Sequence, residues 1–69
     1  MNIEKNGWVL TRKDGTPVQV GTKVDTHHGN PLEILGGSPP HKASSTGRVH
    51  GKGWEYYPTV FDLVWQRTN

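Results

Sequence analysis

An all-β fold, a small barrel of five or six short strands, is predicted by three features of this 69-residue chain. Apolar residues alternate with polar ones over short runs, and nowhere do they recur at i, i+3, i+4, i+7 over a helical length. Nine glycines and five prolines fall between those runs without a fixed period, which suits many tight turns and argues against low-complexity disorder. Five of the six aromatic residues (Trp54, Tyr56, Tyr57, Phe61 and Trp65) stand within residues 54–65, so the core is expected to close around the C-terminal third. Short strands and turn signals at intervals of roughly 8–12 residues fit a barrel. Closure protects the strand edges that an open sheet would expose.

Each element follows from its residues. Residues 1–7 read as a polar lead. Trp8-Val9-Leu10-Thr11-Arg12 has the large and β-branched residues of a strand. Asp14-Gly15 supplies the backbone of a hairpin turn, and Pro17-Val18-Gln19-Val20 returns with Val18 and Val20 on one face. Gly21-Thr22 breaks this run, Lys23–His27 alternates again, and His28-Gly29-Asn30-Pro31 is a second turn. Leu32–Leu35 forms the next strand. Residues 36–47 hold no large apolar side chain and read as one long loop, of the kind that is usually functional or mobile. Arg48–His50 and Trp54–Tyr57 pair as a hairpin across Gly51-Lys52-Gly53. Pro58–Phe61 makes a single 3₁₀ turn, Asp62–Gln66 closes the sheet, and residues 67–69 are a polar tail. Residues 8–66 thus make one domain.

A chain this short buries only about 60% of its unfolded surface. It has no cysteine, so neither a disulfide nor a thiolate metal site supports it. Only 30% of its residues are hydrophobic, and the aromatics must supply much of the burial, at roughly 150–250 Å² each. Trp65 is expected in the core. The net charge of +2 permits contact with nucleic acid without demanding it. The opening residues lack the apolar stretch of a secretory leader, and the longest apolar run is far too short to span a bilayer. A cytoplasmic protein with no membrane association is the expectation.

Two pieces of sequence resemble Src-homology-3-like small barrels. Gly21-Thr22-Lys23-Val24, followed by Gly29, is similar to the opening of many such barrels, including Tudor and KOW modules. Gly53-Trp54-Glu55-Tyr56-Tyr57-Pro58-Thr59-Val60-Phe61 resembles their aromatic-proline step, where a 3₁₀ turn precedes the last strand. The acidic-aromatic opening and tandem Trp of the signalling domains are absent, so the likeness does not imply a proline-peptide groove. Pro39-Pro40-His41-Lys42, Ser44-Ser45-Thr46-Gly47-Arg48-Val49 and Tyr57-Pro58-Thr59-Val60-Phe61-Asp62-Leu63 together resemble small uncharacterised proteins of bacteriophages and prophages. That likeness implies a bacterial host cytoplasm and no particular chemistry.

Among chemical constellations, the histidines His27, His28, His41 and His50 do not suggest a metal site. A zinc site needs three or four convergent ligands, whereas adjacent His27 and His28 point to opposite faces of a strand. The 36–47 loop has the glycines, lysine and hydroxyls of a phosphate cradle but not its order. A P-loop needs Gly-Lys-Ser/Thr entering a helix, and Pro39 and Pro40 delete two N–H donors. No Ser–His–Asp order, cysteine nucleophile or paired carboxylate stands out, so no enzymatic role and no cofactor are expected.

The same loop serves better as a binding element. Pro39-Pro40 stiffens it, and Ser44, Ser45 and Thr46 stand beside Lys42 and Arg48. Those hydroxyls can instead bond their own backbone and hold a wide turn, the simpler assignment. Strand alternation leaves one aromatic on the surface, either Trp54 or Tyr56, and such residues favour binding hot spots. The sequence therefore predicts a non-catalytic binding module. It would engage a protein through the 38–47 loop and neighbouring aromatics, with His41, Lys42, Ser44, Ser45, Arg48, Trp54 and Tyr56 as contact residues. An alternative is nucleic-acid binding by Arg12, Lys13, Lys42, Arg48 and Lys52 with a stacking aromatic, against a scattered, solvated charge distribution. A structural role in a virion or assembly is the second alternative. The oligomeric state is left open.

Overall fold

Alternating apolar residues and turn-forming pairs divide this chain into eight short strands and one 3₁₀ turn, with no α-helix among the described residues. The computed structural model describes residues 1–25 and 29–68. The strands are β1 (Glu4–Lys5), β2 (Trp8–Arg12), β3 (Thr22–Val24), β4 (Leu32–Ile34), β5 (Gly36–Ser38), β6 (Arg48–Gly51), β7 (Trp54–Tyr56) and β8 (Leu63–Arg67). All pair antiparallel, in three small sheets of order β1-β2-β8, β3-β4 and β5-β6-β7. The all-β expectation and the 3₁₀ turn at Pro58–Phe61 match this architecture.

Several finer expectations are corrected. The strands number eight rather than five or six, and they form three sheets rather than one closed barrel. One cause is Leu35. Its N–H bonds the His50 carbonyl at 2.9 Å, while the preceding Ile34 carbonyl accepts from Gly21 at 2.7 Å, so the chain leaves one sheet and enters another within a residue. The supposed polar lead is structural: β1 pairs with β2, and Ile3 is buried in the core. The N-terminal ammonium donates to Gln19 Oε1 at 2.6 Å.

The long loop is shorter than expected, because Gly36-Gly37-Ser38 pairs with β6. Bulky residues are not needed there. A Cβ on Gly37 would meet the Trp65 ring at 2.9 Å, so the glycine is what lets β5 lie under that indole. The tail is also engaged: Arg67 belongs to β8, and Thr68 donates its N–H and its Oγ1 hydroxyl to the Gly7 carbonyl at 2.9 and 3.1 Å.

Residues 17–20 make isolated bridges rather than a strand. Val18 is buried as expected, but Val20 is exposed. Thr22 explains this. Its N–H donates to the Gln19 carbonyl at 3.0 Å and its hydroxyl accepts the Gln19 N–H at 3.1 Å, which reverses the chain and leaves Val20 at the apex. The strand expected over residues 23–27 is present as β3 through Val24, and its Thr26–His27 end lies outside the described residues.

The core consists of Ile3, Leu10, Val18, Ile34, Val49, Leu63 and Trp65, with Trp8, Val24, Trp54 and Phe61 packed half-buried around it. Strand register explains the selection. Leu10 faces Trp65 across β2 and β8, and Val49 on β6 faces Gly37 and Tyr56. Pro58 opens the 3₁₀ turn and is buried, and Asp62 ends it in the left-handed conformation (φ 59°). That stop aims Leu63 and Trp65 back into the core.

Candidate protein-binding surface

Residues 39–47 fold into a braced turn. His41 and Ser44 exchange both backbone hydrogen bonds, at 2.9 and 3.0 Å, around Lys42-Ala43, and the His41 Nδ1 accepts the Ala43 N–H at 3.2 Å. Ser44 Oγ and Thr46 Oγ1 both donate to the Gly47 carbonyl at 3.2 Å. Two of the three hydroxyls are thus engaged with their own backbone, the simpler of the two assignments made for them. Ser44, expected as a partner contact, is only 7% exposed and braces the turn instead. Lys42 and Ser45 stand exposed on it.

Beside this turn lies a ring that the expected contact residues do not include. The hairpin β6-β7 closes with Gly51 opposite Trp54, followed by His50 opposite Glu55 and Val49 opposite Tyr56. Continued by one residue, this register sets Arg48 against Tyr57 on the face opposite to Val49. The Arg48 guanidinium indeed sits 4.7 Å from the Tyr57 ring centroid. Tyr57 remains 48% exposed. It lines a depression of about 380 Å³ together with Thr59 and the loop residues Ala43–Thr46. Tyr57 and Thr59 were missed because strand alternation pointed to Trp54 or Tyr56 as the exposed aromatic. Counting the hairpin register outward from Gly51-Lys52-Gly53-Trp54 would have found the Arg48–Tyr57 pair.

Trp54 and Tyr56 lie on the other face, with Phe61. Their centroids are 5.6 Å (Trp54–Tyr56), 5.8 Å (Trp54–Phe61) and 6.0 Å (Tyr56–Phe61) apart. These are the spacings of rings packed on one another, so the cluster is a ledge rather than an open cage. Tyr56 is the exposed member and Trp54 is half-buried. The expected contact residues are therefore divided. His41, Lys42, Ser44, Ser45 and Arg48 lie with Tyr57 on and around the loop, whereas Trp54 and Tyr56 belong to the opposite face of the hairpin.

The expected nucleic-acid set is divided as well. Arg12 and Lys13 line a groove of about 350 Å³ floored by Phe61, Val24 and Leu63, but Asp14 and Asp62 line it too. Lys13 pairs with Asp62 at 3.4 Å in an exposed ion pair. Asp14 accepts the Thr16 N–H at 2.9 Å, and hydrogen bonding to Thr16 holds its carboxyl below the ordinary carboxylate range. Arg48 stacks on Tyr57 across the hairpin, Lys42 sits in the 41–44 turn, and Lys52 sits between β6 and β7.

Among the described residues no group of three or more His, Cys, Asp or Glu side chains is placed to hold a metal ion, and the paired His27 and His28 lie outside those residues. No helix among them is long and apolar enough to cross a membrane. Comparison with protein-family models, with curated proteins and with solved structures finds no match.

Proposed function

We propose that this chain is a small non-catalytic binding module that engages a protein partner through the 39–47 turn and the Arg48–Tyr57 stack. The observation that carries this reading is the stack itself. An aromatic ring held in place by a guanidinium, still about half exposed, borders a depression walled by a braced loop. Tyrosine and arginine anchors beside a rigid concavity are what protein interfaces concentrate. Val60, in the 3₁₀ turn that follows Tyr57, is exposed as well.

A Src-homology-3-like order of elements is part of the proposal. It is supported by a β5-β6-β7 meander, a 3₁₀ turn, and a last strand that returns to pair with β2. The bent 32–38 segment, which serves two sheets in turn, supports it further. The sequence likeness to phage proteins is what supports a setting in the cytoplasm of a bacterial host. The nucleic-acid alternative ranks second, since its cations are divided between faces and interleaved with carboxylates. Self-association as a virion or assembly part would use the same Tyr57 surface and is separated by sedimentation across concentration.

The test is selection from a display library of peptides drawn from bacterial and phage proteomes. Wild type should enrich a common sequence pattern that Tyr57→Ala and Arg48→Gln both lose and His50→Ala retains. Enrichment that is the same with Tyr57→Ala sinks the proposal.

A further inference from the structure

On the other side of the 41–44 turn lies a second concavity, of about 270 Å³, walled by Lys5, Trp8, Pro39, Pro40 and His41. Among the described residues Lys5 is the one Lys or Arg that lines it, and Arg67 flanks it beside Trp8. Lys5 stands directly across from Trp8 on β1, and Arg67 stands across from Trp8 on β8. The Arg67 guanidinium lies 5.1 Å from the Trp8 ring centroid. Among the described residues no carboxylate lines the concavity. Glu4, next to Lys5, is registered with Val9 and so belongs to the opposite face of the sheet. Among the described residues neither Lys5 nor Arg67 has a carboxylate partner. The two Thr68 bonds to Gly7 fix the end of β8 and with it the position of Arg67.

The apolar part is equally defined. Trp8 is half-buried against the core, Pro39 is buried and Pro40 is half-buried. The prolines make a rigid wall and bring no N–H of their own, so an anion here is held by the side chains. The volume is just below the range of about 300–1,000 Å³ usual for small-molecule sites, which suits one or two side chains rather than a cofactor. A nucleobase is disfavoured because the guanidinium already covers a Trp8 face that stacking would use. The two cations also flank a single ring, Trp8, from the strands on either side of it, instead of forming the stripe that tracks a phosphate backbone. A guanidinium stacked on an aromatic face keeps its N–H fork free for a carboxylate.

We infer that the Trp8 pocket is an acidic-peptide site: Arg67 and Lys5 hold an Asp or Glu carboxylate, and Trp8 with Pro39 and Pro40 covers an adjacent apolar side chain. The inference rests on the proposed protein-binding role and assigns a second contact point, across the 41–44 turn from Tyr57. It names the partner's chemistry at that point as acidic.

The test follows the three tryptophan indole N–H signals in ¹H–¹⁵N spectra of the full chain, titrated with the blocked pentapeptide GLEEG, its amide counterpart GLQQG, and the oligonucleotide (dT)5. GLEEG should shift the Trp8 signal saturably and leave Trp65 unmoved. GLQQG should bind about tenfold more weakly, the size of one lost charge-assisted contact. Arg67→Gln should weaken GLEEG to a similar degree with the rest of the spectrum retained, and Arg67→Lys, which keeps charge without the fork, should fall between. A flat Trp8 signal, equal binding of GLQQG, or tighter binding of (dT)5 overturns the inference. Tyr57→Ala should leave the titration unchanged. GLEEG binding without display enrichment therefore overturns the Tyr57 reading alone, and enrichment with a flat Trp8 signal overturns this inference alone.

Discussion

Arg48 serves two aromatic rings in opposite ways. Its backbone carbonyl accepts the Trp65 indole N–H at 3.3 Å, while its side chain lies over Tyr57 at 4.7 Å. Trp65 is 4% exposed and lies against backbone, with Gly37 and Gly47 so close that a side chain on either would strike the ring. Tyr57 is held by a single flexible cation and is half open to solvent. The difference teaches how so small a domain spends its few aromatics. A ring seated on glycine backbone, with its one polar atom satisfied, supplies core. A ring seated on a charged side chain supplies surface that is ordered yet available.

The largest expected effect tests the core side of this contrast. Trp65→Ala should cost about 3–5 kcal/mol in urea-induced unfolding, on the order of the whole stability of a core this size. A protein that melts like wild type would mean that Trp65 is not the ring the core depends on. Gly47→Ala should follow, at about 2–4 kcal/mol, because two penalties add. The residue sits at φ 72°, and its new Cβ would lie 2.7 Å from the Trp65 ring and 2.5 Å from the Ser38 carbonyl oxygen. Gly53→Ala is the control. It shares the left-handed backbone at φ 79° but meets nothing within 4 Å, so only the backbone term of about 1–2 kcal/mol should remain. Equal losses at the two glycines would show that close approach to Trp65 is not what selects Gly47.

A smaller effect probes the loop that separates the two rings. Ser44→Ala removes the buried hydrogen bond from Ser44 Oγ to the Gly47 carbonyl and should cost about 0.5–1.5 kcal/mol. Ser45→Ala, at an exposed position, should change stability by less than about 0.5 kcal/mol. Equal costs for both would argue that Ser44 is not the brace of the 41–47 turn.

Much of the fold was legible because alternation and turn pairs are local signals. Trp8–Arg12, Leu32–Ile34, the hairpin around Lys52-Gly53 and the Pro58 turn lie where those signals put them. What escaped was set by contacts distant in sequence. Ile3 is core because residues 17–20 return beside it, and its flanking Asn2 and Glu4 gave no hint of that. Gly36-Gly37-Ser38 has no strand propensity, and becomes a strand because only glycine fits beneath an indole that arrives from residue 65. The candidate surface was legible as a region but not as a set of contacts. The loop and Arg48 could be named from composition. The face on which each aromatic points depends on hairpin register, and that register reaches Tyr57 only one pair beyond Val49–Tyr56.

A small stability effect separates the two rings most sharply. Tyr57→Ala removes an exposed cation–π contact, worth about 0.5–1 kcal/mol, and leaves the core contacts of Trp65 in place. Its unfolding midpoint should stay close to that of wild type, while peptide enrichment on the Tyr57 surface disappears. Trp65→Ala should instead lose both together, because unfolding removes every surface at once. If Tyr57→Ala destabilises as severely as Trp65→Ala, the half-exposed ring is core after all, and the division between a backbone-seated and a side-chain-seated aromatic fails. If it leaves stability and enrichment both intact, the ring is ordered without being used. The partner surface must then be sought on the Tyr56–Trp54–Phe61 ledge across the hairpin.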